Sequence, residues 1–124
     1  YDTLAHPDLI KNEAPTEWHF DRIVPFIESA LDRIAATGVA MELNTSGANK
    51  AIREINPSPS ILRLMQARGI PVVLGSDAHR PGRVADGYAN ALRTLQEAGY
   101  AEINVFLDRR RQPIPIPAAL ASLR

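Results

Sequence analysis

Gly69-Ile70-Pro71-Val72-Val73-Leu74-Gly75-Ser76-Asp77-Ala78-His79-Arg80-Pro81 runs from an apolar segment straight into a group of polar, chemistry-bearing side chains. The run over 70–74 is nearly continuous, as expected of a parallel strand covered on both faces. Gly69 fits the position just past a helix, where glycine takes the left-handed cap conformation without a Cβ penalty. Beyond the run, Asp77 and His79 stand two residues apart. In an extended segment such residues point to one side, so the pair can converge on one ion, with oxygen and nitrogen donors suited to zinc, manganese or iron. Taken alone, the same spacing also reads as turn chemistry followed by a surface histidine.

Outward from this stretch the order helix, glycine, strand recurs. The segments are 24–37 with Gly38, 61–68 with Gly69 and 84–98 with Gly99, and the glycines lie 31 and 30 residues apart. A period near 30 residues is that of a strand plus its crossover helix. Val24, Ile27, Leu31 and Ile34, and again Val84, Tyr88, Leu92 and Leu95, form helical stripes that read as core against a sheet. Ser58-Pro59 offers an N-cap followed by proline at the first helical position. Strands are predicted over 39–44, 70–74 and 102–106, so the fold class is α/β, built of successive β/α units with a parallel sheet. Within 39–44, Glu42 and Asn44 share a face, which fits either a barrel lumen or site wall, or an edge strand with a wet face.

At 124 residues the chain matches one modest domain. Its 14 basic and 14 acidic residues cancel, so no global field draws in nucleic acid or an anionic membrane, and any anion site must be local. The absence of cysteine removes disulfides and thiolate ligands and fits a cytoplasmic protein. No apolar run approaches the roughly 20 residues needed to cross a bilayer. The sequence opens on Tyr1 with a strand already under way by Thr3-Leu4, and is expected to be a piece of a longer protein.

Ligands of α/β folds collect at the carboxyl ends of parallel strands. Three successive predicted strands end at such residues: His6 after Leu4-Ala5, Asn44, and the Asp77/His79 pair. Alone, His6 and Asp8 would read as turn decoration around Pro7. Their recurrence at strand ends favours a metal site.

Ala5-His6-Pro7-Asp8-Leu9, Glu42-Leu43-Asn44-Thr45-Ser46-Gly47, Pro57-Ser58-Pro59 and Gly75-Ser76-Asp77-Ala78-His79-Arg80-Pro81, in that order, resemble the C-terminal half of the PHP (polymerase and histidinol phosphatase) superfamily, in its histidinol-phosphatase branch. The resemblance spans almost the whole chain. It implies the C-terminal portion of a single distorted (β/α)7 barrel domain, with the upstream half absent. It also implies a multinuclear cluster of divalent metal ions at the barrel mouth, hydrolysing phosphate monoesters. By motif, His6, Asp77 and His79 carry over as metal ligands, with Asp77 and His79 at the catalytic centre. The family's opening His-x-His motif and its later histidine and glutamate have no match here, and His19 in Glu17-Trp18-His19-Phe20 fits none of the motifs.

The chemistry suits these ligand types, because a divalent ion acidifies a bound water and polarises phosphoryl oxygens without a protein nucleophile. No cysteine and no Gly-x-Ser-x-Gly elbow supports acyl-enzyme chemistry, and Ser46 and Ser76 have no evident base partner. Asn44, Lys50 and Arg80 are the candidate substrate-binding residues, with Arg83 either joining them or opening the last helix. Where the histidinol-phosphatase pattern commonly has an arginine after Asn-Thr-Ser-Gly, this chain has Ala48-Asn49-Lys50, and lysine lacks the bidentate fork.

Three functional readings follow. The chain belongs to a metal-dependent phosphatase acting on a small phosphorylated substrate, to a polymerase-associated nuclease module, or to a non-catalytic fragment. The second should show a basic track with stacking aromatics, which the neutral balance and three scattered tyrosines do not supply. Uncovered strand edges make the missing N-terminal half, or another copy, the expected partner. In the tail, Asp108-Arg109-Arg110-Arg111-Gln112-Pro113-Ile114-Pro115-Ile116-Pro117 excludes a central strand or helix interior and reads as a wrapping extended segment leading to a short helix over 118–123.

Overall fold

The computed structural model describes residues 1–123. Three short strands, β1 (Thr3–Leu4), β2 (Ala40–Asn44) and β3 (Val72–Gly75), form a parallel sheet in the order β1-β2-β3. Helices α1 (Phe20–Ala35) and α2 (Pro59–Ala67) make the crossovers, and α3 (Tyr88–Glu97) follows β3. The predicted repeat is therefore present. Gly38, Gly69 and Gly99 each adopt positive φ where a helix gives way to the following strand segment. Ser58 caps α2, its Oγ accepting from the Ile61 N–H at 3.4 Å, with Pro59 in the first turn.

The core lies where the sheet meets these helices: Met41, Leu43 and Val72 pack with Leu62, Met65, Leu92 and Leu95, and Leu31 closes the α1 side. Full burial of such side chains contributes about 1.5–3 kcal/mol each. β2 is the central strand and is covered on both faces, so the wet-edge reading of Glu42 and Asn44 does not apply.

Three expectations need correction. The parallel order does not extend to β4 (Glu102–Leu107), which pairs antiparallel with β5 (Arg110–Pro115) and packs beside β3, Asn104 Nδ2 donating to the Val72 carbonyl at 3.2 Å. The arginine-proline tail is the extended segment expected, but it serves as an edge strand, where Pro113 and Pro115 are tolerated. The hairpin turns through Asp108 and Arg109, both at positive φ, and β5 leads into α4 (Ile116–Ser122). The last large helix starts at Tyr88, not at 84: Ala85 at φ +60° and Gly87 at φ +76° break the helical path, leaving Val84 exposed in a turn. Conversely, α1 begins ahead of the predicted start and holds Pro25 within it.

Candidate functional site

The carboxyl ends of β1, β2 and β3 lie side by side, with Asn44 directly opposite Gly75 in the parallel register. His6 follows β1 and Asp77 follows β3, and both adopt left-handed backbone, at φ +50° and +47°. Such conformations are uncommon without glycine, cost of order 1–3 kcal/mol and cluster at functional sites, with His and Asp among the residues that tolerate them best. Because β3 stops at Gly75, the Asp77/His79 pairing is made by a turn, and the extended-strand geometry expected for it is replaced.

Two groups of side chains result. In the first, Glu42 Oε2 accepts from the His6 backbone N–H and from Asn44 Nδ2, each at 3.2 Å, and stands 3.2 Å from His6 Nδ1. Asn44 Nδ2 is also 3.1 Å from His6 Nδ1, while its Oδ1 accepts from the Ser46 N–H at 2.9 Å. Asn44 is buried, its Nδ2 donating to Glu42 and its Oδ1 accepting from the Ser46 N–H, so it organises the end of β2. Gly75 is required beside this group, because a Cβ there would run into the Glu42 carboxylate.

In the second group, Asp77 Oδ2 accepts from Ser46 Oγ at 3.3 Å, giving that serine a polar partner unseen in the sequence. His79 is exposed, with Nδ1 2.9 Å from the Asp77 carbonyl and 3.9 Å from Oδ1. Ser46, Asn49, Lys50, Asp77, His79, Arg80 and Arg83 together line a cleft of about 430 Å³. Of its cations, Arg83 is paired with Asp86 at 3.4 Å, whereas among the described residues no ion pair engages Lys50 or Arg80. An open cleft with unpaired cations beside a carboxylate and an imidazole suits an anion that also contacts a metal.

The two groups offer imidazole nitrogen and carboxylate oxygen, the donor types zinc, manganese and iron take. Among the described residues they do not close into a set of three or more such side chains around one point. Each group therefore offers only part of a ligand set. His19 stands apart, exposed at the start of α1.

Behind the site lies a buried polar network that the sequence did not announce. Lys11, fully buried, donates to Asp8 Oδ2 at 2.9 Å, Glu54 Oε1 at 2.8 Å and the Ile55 carbonyl at 3.2 Å. Asp8 in turn accepts from Asn56 Nδ2 at 2.7 Å and the Ser58 N–H at 3.0 Å. Asn56 exchanges backbone hydrogen bonds with Asn44, tying this network to the end of β2. The only advance signal was Asp8, three residues before Lys11. Tyr88 on α3 also reaches the site: its phenol is raised above its ordinary value, chiefly by burial, with a hydrogen bond to Ser76 opposing and the Glu42 charge adding.

A larger groove, about 820 Å³, runs along β1 against Leu4, Ala30, Ile34 and Val39. It is predominantly apolar and contains none of the candidate ligands, whereas Asp77 and His79 line the smaller cleft.

The chain is 37% identical over 113 residues, 91% of its length, to a Deinococcus radiodurans protein described as a probable histidinol-phosphatase, and the two are homologous. It spans 42% of that relative's length. No family model matches the chain.

Proposed function

We propose that this chain is the C-terminal portion of a PHP domain, and that the domain is a metal-dependent phosphatase of histidinol-phosphatase type acting on a small phosphate monoester. The observation that supports it most is the cleft joining Asp77 and His79 to Lys50, Arg80 and Arg83 at a strand end, in a chain homologous to a probable histidinol-phosphatase. His6, Asp77 and His79 would hold divalent metal, with the remaining ligands supplied from outside these residues. When bound, the metal lowers the pKa of a coordinated water and polarises the phosphoryl oxygens.

The chain's own residues have separate tasks. Lys50 and Arg80 bind and orient the phosphate by charge-assisted hydrogen bonds, and Arg83 contributes less because Asp86 already holds it. Ser46 fixes one Asp77 oxygen and leaves the other, Oδ1, toward His79. Glu42 holds His6 against the end of β2, and Asn44 braces Glu42.

A second reading, a non-catalytic binding fragment, is favoured by one observation: no three ligand-type side chains converge among the described residues. Assaying the chain with excess manganese or zinc, alone and together with the remainder of the proposed domain, separates the two. Phosphate release from histidinol phosphate on mixing, with little from the chain alone, supports the phosphatase; metal-loaded mixtures without activity support the binding fragment.

A further inference from the structure

The contact between Glu42 and His6 carries an inference of its own, which rests on the metal reading above. His6 Nδ1 faces two groups with opposite demands. Asn44 Nδ2, at 3.1 Å, would donate to a bare Nδ1, whereas Glu42 Oε2, at 3.2 Å, would accept from a protonated one. The Asn44 amide cannot resolve this by flipping, since its Oδ1 is held by the Ser46 N–H and its Nδ2 already donates to Glu42.

Charge decides between them. A hydrogen bond to a carboxylate is roughly twice as strong as one between neutral groups. A bare Nδ1 would also set its lone pair against Glu42 Oε2, which is only 15% exposed at the side chain and weakly screened. The carboxylate itself is pinned by the His6 backbone N–H, so it cannot swing away without giving up that bond.

We infer that Glu42 is a positioning residue that fixes His6 in its Nδ1–H tautomer and thereby presents Nε2 as the donor atom to a cation. Histidine ligands are commonly oriented by a carboxylate on the far ring nitrogen, and loss of such a partner typically weakens metal affinity about 10–100-fold. Asn44 then acts on Glu42, holding the carboxylate in place. The same arrangement explains Gly75, whose missing side chain leaves room for Glu42 to reach across.

The test is made first on the metal-free protein. Long-range proton–nitrogen NMR at a pH where the ring is neutral should show wild-type His6 as Nδ1–H, and Glu42→Ala should return it to the Nε2–H form that an unrestrained imidazole favours. A wild-type ring in the Nε2–H form, or an unchanged tautomer in Glu42→Ala, overturns the inference; the wild-type spectrum decides even if the variant does not fold. Zinc titration followed by calorimetry is the separate second measurement. Affinity falling about 10–100-fold in Glu42→Ala is expected. Equal affinity in wild type and variant overturns the positioning role, whereas no zinc binding by wild type alongside the expected tautomers counts against the metal reading and leaves the Glu42–His6 assignment standing.

Discussion

Asp8 and Lys11 form a buried ion pair, Oδ2 to Nζ 2.9 Å, that is joined through Asn56 to the strand end carrying Asn44. A charge pair taken out of water is retained only if its remaining hydrogen-bonding groups are also met, and here Glu54, the Ile55 carbonyl, Asn56 and the Ser58 N–H meet them.

Removing one partner should therefore be costly. Lys11→Met leaves Asp8 without its cation and should lower stability by about 3–5 kcal/mol in urea unfolding. Asp2→Ala, which breaks the exposed pair with Arg109, should change it by about 1 kcal/mol or less. Equal effects would show that the buried pair is not structural.

Two glycine substitutions should separate stability from site geometry. At Gly47 a Cβ would meet the Asn56 side chain and the Glu54 carbonyl, so Gly47→Ala should cost about 1–3 kcal/mol by overpacking. At Gly75 the obstruction is the Glu42 side chain, which can move. Gly75→Ala should cost less stability but displace Glu42 from His6, seen as a shift in the His6 ring nitrogens. A Gly75→Ala variant with wild-type His6 signals would contradict this.

What the sequence made legible was what repeats locally: helix stripes, the Ser58-Pro59 cap, the glycines at 38, 69 and 99, and the strand ends where His6, Asn44 and Asp77 stand. It misplaced features set by backbone reversal. The turn at Ala85 and Gly87 detached Val84 from its apparent stripe, and left-handed Asp77 ended the extended run assumed for Asp77 and His79. It could not reveal Glu54 as a partner of Lys11 or His6 as a partner of Glu42, because they lie 43 and 36 residues apart. Asn44 shows the same limit from the other side: its place at a strand end was readable, but its burial depends on β1 and β3 flanking it.

Stability should also fall at high pH. Tyr88 and Tyr100 are both raised above the ordinary phenol value of 10.0, each chiefly by burial. A raised folded value means the protonated form is favoured in the fold, so this contribution is complete below pH 10 and is lost as pH rises through the folded values. The unfolding midpoint should drop above pH 10, and Tyr100→Phe should flatten the drop. A midpoint that holds constant there would contradict the burial of both phenols.

Phosphate recognition should follow the pairing of the cations. Lys50→Ala and Arg80→Ala should each weaken inhibition by inorganic phosphate about fivefold to tenfold, and Arg83→Ala less, since Asp86 shares it. Equal losses at all three would argue for diffuse attraction in place of a defined subsite.

In the proposed function Asp77 serves metal-dependent phosphate ester hydrolysis. Its most direct test is phosphate release from histidinol phosphate by the complete proposed domain, wild type against Asp77→Ala, at matched manganese or zinc. Wild type should turn over, and the variant should fall by about two orders of magnitude or more, together with reduced bound metal. Near-normal turnover by Asp77→Ala would contradict it.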